Sequence, residues 1–288
     1  MTEPGPSLLV STEWLAQHLA DPALRLFDAT AGAAVAPGAA EAEPAYAVFE
    51  TAHIPGARYL DLKNDFSDTS TGLDFTRLPP EAAAAAFAKA GVGPEATVVV
   101  YSTSTYGWAT RMWWLLNDLG FRRVAVLDGG LAKWVAEGRP IASGPQAAYP
   151  AATALVPAAQ HLFADLPEVS AVAADGGAIL VNALSPDHFS GAVAGPHGRR
   201  GPIPGSISLP AGSLVTASDN SLKPLEVLKA EFAARGISPD ADVIAYCGSG
   251  IAATLDGFVL KALGHDKVRV YDGSLSEWSK DPQRPLEA

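Results

Sequence analysis

The sequence predicts an α/β protein built from two tandem copies of one unit, each a small, mainly parallel sheet flanked by helices. Three repeats in the same order carry that reading. Val98-Val-Val-Tyr-Ser102 returns about 145 residues later as Val243-Ile-Ala-Tyr-Cys247. Val124-Ala-Val-Leu-Asp-Gly-Gly-Leu-Ala-Lys-Trp134 returns as Val268-Arg-Val-Tyr-Asp-Gly-Ser-Leu-Ser-Glu-Trp278, and upstream Ile54-Pro-Gly-Ala57 returns as Ile203-Pro-Gly-Ser206. The spacing drifts by only a few residues, which is the mark of a duplication with small loop changes.

Within the first copy, strands are predicted at 24–28, 97–101 and 124–127, and helices near 12–19, 80–90 and 108–119. The second copy gives strands at 178–182, 242–246 and 268–271, with helices near 225–234 and 252–263. Apolar runs of this length, bounded by Gly or Asp, suit strands buried on both faces, and the intervening helices supply the crossovers of a parallel sheet. Residues 29–44, rich in Ala, Gly and Pro, read as a long surface loop. The copies are assigned to residues 1–142 and 158–288, joined by a linker over 143–157 with few large apolar side chains.

Of the 288 residues, 48% are apolar and 18% charged, enough to fill two cores. The 27 glycines and 23 prolines stay below the level at which low-complexity disorder becomes the better description. Net charge is −11 and the largest basic cluster is Arg199-Arg200, so neither nucleic acid nor an anionic membrane surface is an expected partner. No apolar stretch is long enough to cross a bilayer, and Met1-Thr-Glu-Pro-Gly-Pro has neither a basic nor a long apolar region; a cytoplasmic protein is expected.

Cys247 is the chain's single cysteine, which excludes intrachain disulfides, thiolate zinc clusters and a two-cysteine redox cycle. It follows a predicted strand and precedes Gly248-Ser249-Gly250 and a helix starting near Ile251 or Ala252. The two glycines let the backbone curl, and the first turn of a helix leaves N–H groups without intrahelical partners. Gly248, Ser249, Gly250, Ile251 and Ala252 therefore form a cradle that favours an anion such as a thiolate or a persulfide. The cradle sits at the carboxyl end of a parallel sheet, where open α/β folds place their ligands.

These motifs resemble the rhodanese family, in particular its two-domain sulfurtransferases. The Cys-Gly-Ser-Gly-Ile loop is similar to that family's active-site loop, and His53-Ile-Pro-Gly-Ala57 and Asp128-Gly-Gly-Leu-Ala-Lys-Trp134 are similar to its two other signature regions. The resemblance implies a non-catalytic first domain, here with Ser102 at the cysteine position, and a catalytic second one. It implies that Cys247 takes a sulfane sulfur from 3-mercaptopyruvate or thiosulfate, holds it as a persulfide, and passes it to cyanide, a small thiol or a protein thiol. No metal or organic cofactor is implied. Gly248-Ser249-Gly250 carries no cation and so leans toward the keto-acid donor, and Arg199 and Arg200 stand where the family has a substrate-binding arginine.

This sequence departs from the pattern in three places. Ala252 replaces a hydroxyl residue, Asn182-Ala-Leu184 stands where relatives have Asp and Arg, and no histidine occurs between His53 and His161 to supply a first-domain relay. The departures favour an alternative, a non-catalytic persulfide carrier or partner-binding module. A cysteine phosphatase is disfavoured because the cation it needs six residues after the cysteine is Ala253 here. His53 reads as structural, His188 and His197 lack metal-ligand spacing, and Trp134 and Trp278 read as packing residues.

Overall fold

A computed structural model describes residues 7–158 and 160–287. The expectation drawn from Met1 to Pro6 lies outside the described residues. The chain divides into two compact units. One takes the residues up to Ser67 with Arg77–Gln160 and Ala217–Ser221; the other takes Asp68–Thr76, His161–Thr216 and the residues from Leu222 onward.

The first unit runs β1 (Leu9–Val10), α1 (Thr12–His18), β2 (Leu24–Asp28), β3 (Ala33–Val35), β4 (Ala42–Pro44), α2 (Ala45–Thr51), β5 (Arg58–Tyr59), α3 (Leu62–Asp65), α4 (Pro80–Lys89), β6 (Thr97–Tyr101), α5 (Gly107–Asp118), β7 (Val124–Leu127) and α6 (Gly130–Ala136). Its five-stranded sheet has the order β1-β7-β6-β2-β5, and every pair is parallel. The second unit runs β8 (Phe163–Ala164), α7 (Leu166–Asp175), β9 (Ile179–Asn182), α8 (Pro186–Phe189), β10 (Ile207–Ser208), α9 (Leu225–Ala233), β11 (Val243–Tyr246), α10 (Ala253–Ala262), β12 (Val268–Tyr271) and α11 (Ser274–Trp278). Its sheet order is β10-β9-β11-β12-β8, again wholly parallel.

The central strands are the apolar runs of the sequence: every residue of β6 and of β11 is buried. The repeated motifs are the fastenings of the fold. Tyr101 and Tyr246 end their strands, and each hydroxyl accepts a backbone N–H from the Ile-Pro-Gly turn, Ile54 at 3.2 Å and Ile203 at 2.9 Å. Burial pushes the Tyr246 hydroxyl up to about 12, which keeps it protonated and able to donate to Ser206 at 2.8 Å. Trp134 and Trp278 are buried, and their indole N–H groups donate to Pro140 at 2.7 Å and Pro285 at 2.9 Å. Arg139 and Arg284 each cover the matching indole at 5.3 Å.

One sequence expectation changes. Residues 29–44 hold an antiparallel hairpin of β3 and β4 rather than a plain loop; runs of three residues with an Ala-Pro-Gly tip leave too little periodicity to read. Residues 143–157 carry no regular element but are strapped to the first unit. The Tyr149 hydroxyl accepts from Leu26 N–H and donates to the Gly56 carbonyl, and its ring lies between Arg25 and Arg58 at 4.8 and 4.6 Å. One aromatic residue thus packs this stretch against the first unit.

Candidate active site

Cys247 stands directly after β11 and is 2% exposed. Its N–H donates to Ser274 Oγ at 3.1 Å, and that hydroxyl donates onward to the Tyr271 carbonyl at 2.8 Å. Its carbonyl accepts from Leu275 N–H at 3.0 Å. The Gly248 carbonyl accepts twice from Ser276, from the N–H and from Oγ, both at 2.8 Å. The start of α11 thus grips both peptide groups around the thiol.

Beyond Cys247 most of the loop's amides are not used by the fold. Among the described residues, no acceptor meets the N–H groups of Gly248, Ser249, Ile251 or Ala252. Thr254 and Leu255 make tight i→i+3 bonds to Ile251 and Ala252, so α10 begins at Ala253 without a side-chain cap. Four donors without a protein acceptor thus follow the cysteine and lead into α10, where the first turn of a helix leaves its N–H groups unpaired. Only one of the loop's glycines is conformationally required: Gly250 has φ of +75°, whereas a Cβ at Gly248 would meet open space.

Ser274 was not legible as a site residue. It is fully buried and sits at φ of +48°, a region where glycine is the unstrained choice. Its counterpart Gly130 has φ of +54°, and a Cβ there would lie 2.3 Å from the Ser102 carbonyl oxygen. The signal was the single Gly-to-Ser change between the repeated Asp-Gly-Gly and Asp-Gly-Ser motifs.

Both predicted cations bond backbone carbonyls. Arg199 donates to the Asp281 carbonyl at 2.9 Å and the Arg284 carbonyl at 2.6 Å, and Arg200 to the Gly191 and Ala192 carbonyls at 2.7 and 2.6 Å. His53 is fully buried, donates to the Phe49 carbonyl at 2.7 Å and stacks on the Phe49 ring, a structural position. His188 hydrogen-bonds Ser185 at 2.8 Å, and His197 donates to the Ser276 carbonyl at 3.0 Å. Among the described residues, no group of three or more His, Cys, Asp or Glu is arranged to hold a metal ion, and no helix is long and apolar enough to cross a membrane.

The chain matches the Rhodanese-like domain family twice, over residues 11–137 and 165–281. It belongs to the rhodanese family. Among its curated relatives, the sulfur carrier protein TtuD of Thermus thermophilus is 31% identical over 95% of this chain and 94% of its own. The 3-mercaptopyruvate sulfurtransferase of Escherichia coli is also 31% identical, over 96% of this chain and 97% of its own. The crystal structure of SseA from Escherichia coli superposes with a TM-score of 0.81 at 29% identity, covering 93% of this rhodanese and 99% of that chain. The tandem α/β units expected from the repeats, and the rhodanese-like fold that the resemblance implies for them, are the ones observed.

Proposed function

We propose that this rhodanese is a sulfurtransferase that carries a sulfane sulfur on Cys247. The observation that carries the reading is that, among the described residues, no acceptor meets the amides of Gly248, Ser249, Ile251 and Ala252, which follow the chain's single cysteine at the carboxyl end of β11. The Cys247 thiolate attacks the outer sulfur of the donor. With thiosulfate the S–S bond breaks and sulfite leaves with the electron pair; with 3-mercaptopyruvate the C–S bond breaks and the departing enolate takes a proton to become pyruvate. The cradle amides bind the terminal sulfur of the persulfide as they bind the thiolate. Cyanide or a thiol then attacks that sulfur, leaves as thiocyanate or a new persulfide, and returns the thiolate. The chemistry calls for no metal or organic cofactor, and a cytoplasmic setting supplies thiol acceptors.

The absence of a cationic side chain from Gly248 to Ala252 favours 3-mercaptopyruvate over the more highly charged thiosulfate. Arg199 or Arg200 serves the donor's carboxylate in this reading, through donors left after the carbonyl contacts. A second reading, a carrier that delivers the persulfide to a protein thiol, is supported by the likeness to the sulfur carrier protein TtuD. The test is steady-state thiocyanate formation from each donor. Wild type should turn over, and Cys247→Ser should lose at least about a thousand-fold. Equal turnover in the variant would refute the assignment, and persulfide loading without turnover would select the carrier.

A further inference from the structure

We infer that His197 is a positioning residue for the Cys247 loop, a role that rests on the reading of Cys247 as the nucleophile. His197 occupies the turn Pro196–Gly198 with φ of +56° and ψ of +23°. Among residues other than glycine, that left-handed conformation persists where neighbouring contacts over-determine it. Two sets of contacts do so here. The turn is closed on itself by Gly195 N–H to the Arg199 carbonyl at 2.8 Å and Gly198 N–H to the Gly195 carbonyl at 3.2 Å. The ring then reaches across and donates from Nε2 to the Ser276 carbonyl at 3.0 Å.

Ser276 is the residue that grips the loop, since its N–H and Oγ both bond the Gly248 carbonyl. His197, Ser276 and Gly248 thus form a short series that ends on the peptide next to the thiol. Arg199, which ends the same turn, donates to the carbonyls of Asp281 and Arg284 and so anchors the turn that carries the histidine. The first copy lacks this series: Ala132 occupies the place of Ser276 in the repeat and has no hydroxyl to offer. A device present only beside the cysteine-bearing loop fits a task specific to that loop. By fixing Ser276, His197 fixes the direction in which the Gly248 peptide presents the following amides to sulfur.

The experiment compares wild type with His197→Ala, His197→Gly and His197→Gln, reading kcat and KM for 3-mercaptopyruvate, melting temperature, and the rate at which iodoacetamide alkylates Cys247. His197→Ala should lower kcat about ten-fold or more with KM little changed. It should slow alkylation in parallel and leave the fold intact. His197→Gly relieves the backbone and should fare no better, whereas His197→Gln, whose amide can donate to the same carbonyl, should recover part of the rate. Unchanged kcat and alkylation in His197→Ala, recovery in His197→Gly, or no recovery in His197→Gln would overturn the inference. Failure of the sulfurtransferase reading is seen separately, as a wild type that alkylates at Cys247 yet moves no sulfur.

Discussion

The loops after β6 and β11 start from the same strand-Tyr motif and arrive at opposite electrostatic states. After β6, Ser102 donates to the Thr105 carbonyl, Thr103 N–H donates to Thr30 Oγ1 at 2.8 Å, and Gly107 N–H leans on Thr105 Oγ1. Behind them lies Asp28, buried, accepting from Thr30 and Thr103, with its carboxyl pushed up by burial against those bonds. After β11 the matching amides are free, and the residue paired beside Tyr246 is the neutral Asn182, whose side chain accepts from Leu184 N–H. The difference teaches that the two copies differ in more than the thiol. The first loop satisfies its own donors with hydroxyls and sets a carboxyl behind them; among the described residues, the second leaves donors without a protein acceptor.

The comparison can be broken or sharpened by substitution. The largest effect should come where the copies agree: Trp134→Ala and Trp278→Ala should each cost about 3–5 kcal/mol in denaturant unfolding. A large inequality would mean that the copies are not held alike. Gly130→Ser, which writes the second copy's residue into the first, should cost about 3 kcal/mol, because the new Cβ meets the Ser102 carbonyl at a positive φ. The reverse change, Ser274→Gly, should stay within about 1 kcal/mol in stability, since lost hydroxyl bonding is offset by relieved strain.

Asp256 sharpens the contrast in a different way. It is fully buried on α10 with neither oxygen partnered, where the first copy has Met112 in the repeat. Burial raises its carboxyl well above the usual range, with Arg235 opposing and Glu231 adding to the rise. A raised folded-state value means that stability is highest below the unfolded carboxyl's titration and falls as pH rises toward the folded one. Asp256→Met should therefore stabilise by roughly 2 kcal/mol at pH 7, with the gain shrinking toward pH 4. A gain independent of pH would contradict the assignment of the cost to the proton. In the loop after Cys247, Gly250→Ala should cost about 1 kcal/mol or more, and the smallest effect of all is Gly248→Ala, which should change stability by less than about 0.5 kcal/mol.

Much of this was legible in the residues. The strands at 97–101 and 124–127 are read from nearly continuous apolar runs, because strands buried on both faces leave a plain signal, and those at 24–28 and 268–271 remain readable although an arginine interrupts each. The two-residue strands β1, β5, β8 and β10 left none, since their identity comes from pairing with a neighbour rather than from their own sequence. Cys247 and its cradle were visible as a strand, a nucleophile and a Gly-x-Gly turn. Ser274, Ser276 and His197 were not, because each acts through a backbone carbonyl or amide contributed by a distant segment, and no local pattern announces such a bond.

The most direct measurement is intact mass and peptide mapping of wild type and Ser102→Cys after incubation with 3-mercaptopyruvate and, separately, thiosulfate, followed by cyanide. The account predicts the gain of a single sulfur atom in both proteins, located on the Cys247 peptide, removed by cyanide, and absent from the first-copy loop even when that loop carries a thiol. Sulfur loaded equally on the first-copy loop, or on neither, would contradict it.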